Sequence, residues 1–188
     1  MIKTIIFDCF GVLASEGWLR FRAKHFGHSQ QLLTQVNDAM KAVSLGYMSA
    51  DDFLTTVAEL SGEAPAAIRQ YLYHNYPDKA LFDFIQHHKS QYRFGVLSNI
   101  SAGRLEHIFS RQQLALFDSV VLSCEIEVAK PDPKAYVIAA ERLGTLPKEC
   151  LFVDDQARNV DAAEALGMRG IVYKTYTQFE AEARIILG

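Results

Sequence analysis

The 188-residue sequence contains no apolar run approaching the roughly 18 residues a membrane span requires, so no membrane partner is expected. It also lacks an excess of either charge, since 19 basic against 22 acidic residues leave a net charge of −3. That balance provides no general surface for polyanions, and nucleic acid is not an expected partner. Cysteine is scarce: Cys9, Cys124 and Cys150 are odd in number, widely spaced and set in or beside apolar runs. Buried, reduced thiols are the economical reading. The first residues lack the basic start, apolar core and small-residue cleavage site of a signal peptide, and a cytoplasmic location is expected. There is no internal repeat, no low-complexity tract and no signature that decides between monomer and homodimer.

What is present is an ordinary globular composition, 49% hydrophobic and 22% charged, in a chain long enough for one domain with an insertion. The run Thr4–Phe7 suits a buried strand, closed by Asp8 and broken by Gly11. The pattern then turns helical to about residue 76. Ser29 and Ser49 stand where helix caps belong, Gly27, Gly46 and Gly62 where helices stop, and Pro65 where one can open. From Asp78 onward helical and strand-like stretches alternate, with strands over 93–98, 119–122, 150–153 and 170–173, a helix marked by Leu105, Ile108 and Phe109, and a loop from Glu125 to Pro131. Short alternating units predict an α/β fold with a doubly wound parallel sheet and right-handed crossovers. The expected core comprises residues 1–14 and 77–188, with a helical cap inserted over 15–76.

Polar residues punctuate the ends of these strands. Asp8 ends the first, Ser98-Asn99 the second and Asp154-Asp155 the fourth, while Lys130 follows the third in its loop. Parallel strands place their carboxyl ends on one edge, where open α/β sheets bind ligands. Hard oxygen donors from separate loops suit Mg²⁺, and a lysine beside them offsets carboxylate repulsion and can contact a phosphate. Individually these residues have plain alternatives. Asp8 can terminate a strand, Ser98 and Asn99 can cap a helix near Ser101, Lys130 can be a solvated surface lysine, and the paired aspartates can favour a helix N-terminus. Adjacent like charges at a strand end are harder to explain as structure, because each raises its neighbour's pKa.

The phrases FDCFGVL, VLSN, KPDPKAY and FVDDQARNVDAA, in that order, resemble the four motifs of the haloacid dehalogenase-like hydrolase superfamily. GYMSADDFL resembles a phrase of the helical caps inserted in one branch of it. The D-x-x-G-V start with paired acids is also similar to members related to α-glucose-1-phosphate phosphatases and the amino-terminal domains of epoxide hydrolases. The resemblance implies a Rossmann-like core and a phosphatase acting on small phosphorylated metabolites. It makes Asp8 the nucleophile that forms an aspartyl-phosphate, and Lys130 the residue holding nucleophile and phosphate together. Ser98 and Asn99 would bind phosphoryl oxygens. Asp8, Asp154, Asp155 and the backbone carbonyl of Phe10 would hold Mg²⁺. Arg20 and Arg22, just after the first motif, are candidate substrate contacts from the cap.

One position departs from that pattern. Family phosphatases usually carry an acid–base aspartate two residues after the nucleophile, and here Phe10 stands there. Loss of a general acid typically costs about 10²–10⁴ in rate. Glu16, Glu125 and Glu127 are possible substitutes, and good leaving groups would suffer least. True haloacid dehalogenases also carry an aromatic at this position, but with D-x-Y-G-T and a metal-free fourth motif. Val12 and Asp154-Asp155 set this chain apart from them. A metal-free dehalogenase and a catalytically impaired binding protein are the alternatives to a phosphatase.

Overall fold

The computed structural model describes residues 1–101 and 103–188. The apolar runs form five strands: β1 (Thr4–Phe7), β2 (Arg93–Ser98), β3 (Ser119–Leu122), β4 (Cys150–Asp154) and β5 (Arg169–Val172). The eleven α-helices among the described residues are α1 (Trp18–Phe26), α2 (Gln30–Ser44), α3 (Ala50–Ser61), α4 (Pro65–Tyr73), α5 (Lys79–His88), α6 (Leu105–Ile108), α7 (Arg111–Leu114), α8 (Ser123–Ile126), α9 (Pro133–Arg142), α10 (Ala157–Ala165) and α11 (Tyr176–Leu187). All strand pairs are parallel, in the order β3-β2-β1-β4-β5. This is the doubly wound α/β architecture that the alternating pattern predicts.

Alternation along each strand divides the core between the two faces of the sheet. Ile5, Phe7, Phe94, Val96, Leu151 and Val153 face one way, against Leu81 and Ile85 of α5 and Phe179 of α11. Ile6, Leu97 and Phe152 face the other way, against Tyr136 and Ala139 of α9 and Ala163 of α10. Burying side chains of this size contributes about 1.5–3 kcal/mol each, enough to fix which residues of every strand face which layer. The chain starts in the middle of the sheet, builds outward through β2 and β3, then returns to the other side of β1 as β4. The direction of winding therefore reverses between β1 and β4, where a crevice opens beyond the strand ends. Asp8 and Asp154-Asp155 flank that reversal.

Helices α1–α4 gather a separate apolar cluster that includes Trp18, Phe21, Val36, Phe53, Val57 and Ile68. The punctuation read from sequence operates here. Ser29 Oγ accepts from the Leu32 N–H, Ser49 Oγ accepts from the Asp52 N–H, and Gly62 closes α3 with φ +71°. Pro65 opens α4. The two chain passes that join this segment to the sheet are tied together, with Asp78 N–H donating to the Leu13 carbonyl and Ser15 N–H to that of Tyr76, at 2.8 and 3.0 Å. Ser123 Oγ of α8 donates to the Ser44 carbonyl of α2 and accepts from the Ile100 N–H.

Three local expectations shift. The helix expected around Leu105–Phe109 is two single turns, because Phe109 is extended and Ser110 caps α7 through a reciprocal bond with Gln113. The segment after β3 is helical for one turn, α8, rather than loop throughout. The last strand begins one residue earlier than its apolar run, at Arg169.

Candidate active site

The ladder between β1 and β4 runs one residue past β1, with the Asp8 N–H donating to the Val153 carbonyl at 2.8 Å. This bond sets the Asp8 carboxylate beside the end of β4. Lys130 Nζ lies 2.8 Å from Asp8 Oδ1 and 2.6 Å from Asp154 Oδ2, all three groups being buried. Carboxylate oxygens of Asp8, Asp154 and Asp155 lie within 4.8 Å of one another. Gly11, at φ +80°, keeps the turn after β1 clear, since a Cβ there would sit 2.6 Å from Asp155 Oδ2. Residues from three strand ends and a loop thus converge as their order predicts.

Asp154 is held on every side. Besides Lys130, its carboxylate accepts from the Gln156 N–H at 2.9 Å and from Asn159 Nδ2 at 3.0 and 3.1 Å. Tyr136 Oη donates to the Asn159 carbonyl and steadies that helix turn. Asp155 Oδ1, by contrast, and the Ser98 hydroxyl are buried with no hydrogen-bond partner among the described residues. Ser98 and Asn99 cap no helix, because α6 begins only at Leu105. The Asn99 side chain instead grips Lys130, its Nδ2 donating to the Lys130 carbonyl at 2.9 Å and its Oδ1 accepting from the Lys130 N–H at 2.8 Å. That occupies the amide that sequence reasoning offered to a phosphoryl oxygen. The bonds closing the turn after Asp8 use the Cys9 and Ala14 carbonyls and leave the Phe10 carbonyl out.

Three carboxylates share one ammonium, and their protonation reflects it. Burial pushes the Asp8 carboxyl up, Lys130 opposes the shift and Asp154 adds to it. Burial pulls the Lys130 ammonium down, but the Asp8 and Asp154 carboxylates outweigh it and keep the proton on nitrogen. Burial, with Asp8 and Asp154 as like charges, raises Asp155 to about 6. A divalent cation fits this donor set: three hard oxygens, excess negative charge and a carboxylate oxygen with no donor.

The opposite flank of Asp8 was only partly foreseen. Glu16 lies beyond the turn, half-buried, its Oε1 accepting from the Trp18 N–H at 3.1 Å. Burial, reinforced by Asp8, pushes its carboxyl up to about 7. Glu125 and Glu127 are exposed, and Glu125 faces Arg142 at 3.7 Å. Of the three glutamates, Glu16 is the one the fold brings to the site. Arg20 is exposed on α1, and Arg22 Nη1 donates to Asn37 Oδ1 at 3.0 Å within the helical segment. The arginine found near the motif residues is Arg104, whose guanidinium carbon lies 4.6 Å from the centre of the Phe10 ring and 5.2 Å from that of Tyr73. A single arginine in a polar loop carries no sequence signal, and only the packing of α4 against the loop after β2 singles it out.

The profile of the haloacid dehalogenase-like hydrolases matches residues 2–167. The chain belongs to that family. Among curated relatives of this hydrolase, Phosphatase MT3486 of Mycobacterium tuberculosis is 31% identical over 193 residues, covering 89% of this chain and 85% of the relative. Protein SUPPRESSOR OF QUENCHING 1, chloroplastic, of Arabidopsis thaliana is 26% identical across 93% of this chain, which spans only 18% of that protein's length. A family enzyme of Bacteroides thetaiotaomicron, solved with magnesium and inorganic phosphate, superposes with a TM-score of 0.72 at 21% identity, covering 93% of this chain and 95% of the other. At that identity the likeness is one of fold.

Proposed function

We propose that this hydrolase is a Mg²⁺-dependent phosphatase of small phosphorylated metabolites with Asp8 as nucleophile. The observation that carries the reading is the Lys130 ammonium bridging Asp8 and Asp154 at 2.8 and 2.6 Å, with Asp155 alongside. Asp8, Asp154, Asp155 and the Phe10 carbonyl would hold the cation, which when bound supplies positive charge to the transferring phosphoryl group. Asp8 attacks phosphorus, the bond to the leaving oxygen breaks, and the phosphoryl group passes to the Asp8 carboxylate as an aspartyl-phosphate for water to hydrolyse. Lys130 orients Asp8 and neutralises phosphoryl charge. The buried, unpartnered Ser98 hydroxyl donates to a phosphoryl oxygen, and Asn99 keeps Lys130 in place. Helices α1–α4 act as a cap over the crevice, where Arg20, exposed on α1, is a candidate contact for the remote part of a substrate and Arg22 would first have to leave Asn37. Phe10 cannot move a proton, so acyl phosphates and sugar 1-phosphates should turn over fastest.

The native protein with MgCl₂ should release inorganic phosphate from a panel of such compounds, and Asp8→Asn should abolish release. Full activity in that variant rules out the proposed nucleophile. The aromatic at position 10 favours a dehalogenase as second reading, which predicts halide release from a 2-haloacid in EDTA. Three crowded carboxylates oppose it, since without a cation they repel a carboxylate substrate.

A further inference from the structure

Arg104 is a half-buried cation with an incomplete set of partners among the described residues. One Nη donates to the Leu72 carbonyl at the end of α4. The Nε–H is buried with no acceptor, and the guanidinium pairs with no carboxylate among the described residues. Its neighbours are the flat faces of Phe10 and Tyr73, which attract a cation but cannot accept its in-plane hydrogen bonds. Leaving a buried donor unmet costs free energy, and a desolvated charge without a counter-ion costs more. Glu16 is the nearest acid to act on it electrostatically, across a gap too wide for an ion pair. Rings that attract the charge leave the in-plane N–H groups to other acceptors, and arginine meets carboxylates with those groups in bidentate fashion.

We infer that Arg104 is a specificity residue that binds a second anionic group of the substrate, a carboxylate, so that among phosphate compounds of equal leaving-group quality those carrying a carboxylate are preferred. The inference rests on the phosphatase reading of the Asp8 site. Phe10 gains a role from it: in place of a proton-transfer group, the position supplies one wall of the slot that holds Arg104. Lys130 and the cation site receive the phosphoryl end, and Arg104 receives the carboxylate end. The contact with Leu72 places the same guanidinium against the helical segment, so the second anion is read where core and helices meet.

Two non-hydrolysable probes test this without turnover. Titration calorimetry of the Mg²⁺-loaded native protein should show phosphonoacetate binding about tenfold or more tighter than methylphosphonate, the range expected for one charge-assisted pair. Arg104→Gln should bring the two ligands to within about twofold of one another while leaving methylphosphonate binding unchanged, and Arg104→Lys should restore part of the preference. Equal affinity of the native protein for the two probes overturns the inference, as does a variant that weakens both alike, which marks Arg104 as a structural brace. Should Arg104→Gln fail to fold, the native preference alone decides. Binding of neither probe overturns the phosphoryl-site reading itself, whereas equal binding of both overturns only the role of Arg104.

Discussion

Asp8 has two unlike flanks. On the side of β4, charge is matched at Asp8 and Asp154 and left open at Asp155: Lys130 touches two carboxylates and Asp154 is further met by Gln156 and Asn159, whereas one Asp155 oxygen meets no donor among the described residues. On the side of the helical segment, Glu16 and Arg104 share a neighbourhood without pairing, and Phe10 lies between the arginine and the turn that carries Asp8. The first flank is built from strand ends, whose positions the sheet fixes to within a residue. The second is built from a joining segment and a loop, whose positions depend on how the helices dock. Apart from the Asp155 oxygen at the cation site, matched charge goes with the rigid flank, and unmet charge with the flank where a substrate's variable part must fit.

The largest effect should come from breaking the matched flank. Lys130→Met removes the one cation that touches Asp8 and Asp154 among the described residues and leaves both carboxylates buried. Loss of one partner from a buried pair costs about 3–5 kcal/mol, against about 1 kcal/mol or less for an exposed one. Urea unfolding in EDTA should show a loss in the larger range, and added Mg²⁺ should recover part of it. A loss below about 1 kcal/mol would mean that the matched flank is not held by charge, and the contrast between the flanks would collapse.

Glu16 tests the other flank at about half that size. Its folded-state pKa is pushed up to about 7, whereas an ordinary glutamate titrates near 4.5. Between those values the folded protein binds more protons than the unfolded chain, so stability falls as pH rises through the window. The whole shift corresponds to about 3 kcal/mol, reached above pH 7 in metal-free protein. Glu16→Gln cannot ionise yet can still accept from the Trp18 N–H. It should therefore unfold like the parent near pH 4 and prove more stable by about 2–3 kcal/mol at pH 8, as read from melts in EDTA. Parallel pH profiles for the two proteins would place Glu16 in water and even out the flanks.

The same division governs what the sequence disclosed. The five strands, the caps at Ser29 and Ser49, the stop at Gly62 and the helix opening at Pro65 rest on local pattern, and the fold uses them within a residue of where the pattern puts them. Asp8, Lys130, Asp154 and Asp155 were legible as a group because parallel topology alone carries strand ends to one edge. The grip of the Asn99 amide on Lys130 was not legible, since the sequence does not show that the loop carrying Lys130 passes within reach of it. Arg104 and Glu16 depend on contacts between segments 32 or more residues apart, such as the bond from Arg104 to the Leu72 carbonyl. No periodicity encodes that distance. The split of the expected helix at Phe109 is a further case, because its apolar residues keep helical spacing while Ser110 restarts the chain as a new cap.

The smallest effect concerns how the two flanks meet at the cation. Burial and the Asp8 and Asp154 carboxylates push Asp155 up to about 6, so protons compete with a cation for this ligand. Below pH 6 a bound cation must displace that proton, and affinity should fall by about tenfold for each further pH unit. Calorimetric titration of the native protein with MgCl₂ should therefore show an apparent Kd about tenfold weaker at pH 5 than at pH 7.5. The heat measured near pH 5.5 should also depend on the ionisation enthalpy of the buffer, because protons leave as the metal binds. Affinity that stays flat between pH 5 and 7.5, with no buffer dependence, would mean that the unbonded Asp155 oxygen is not a metal ligand and that the unmet charge beside Asp8 is confined to Glu16 and Arg104.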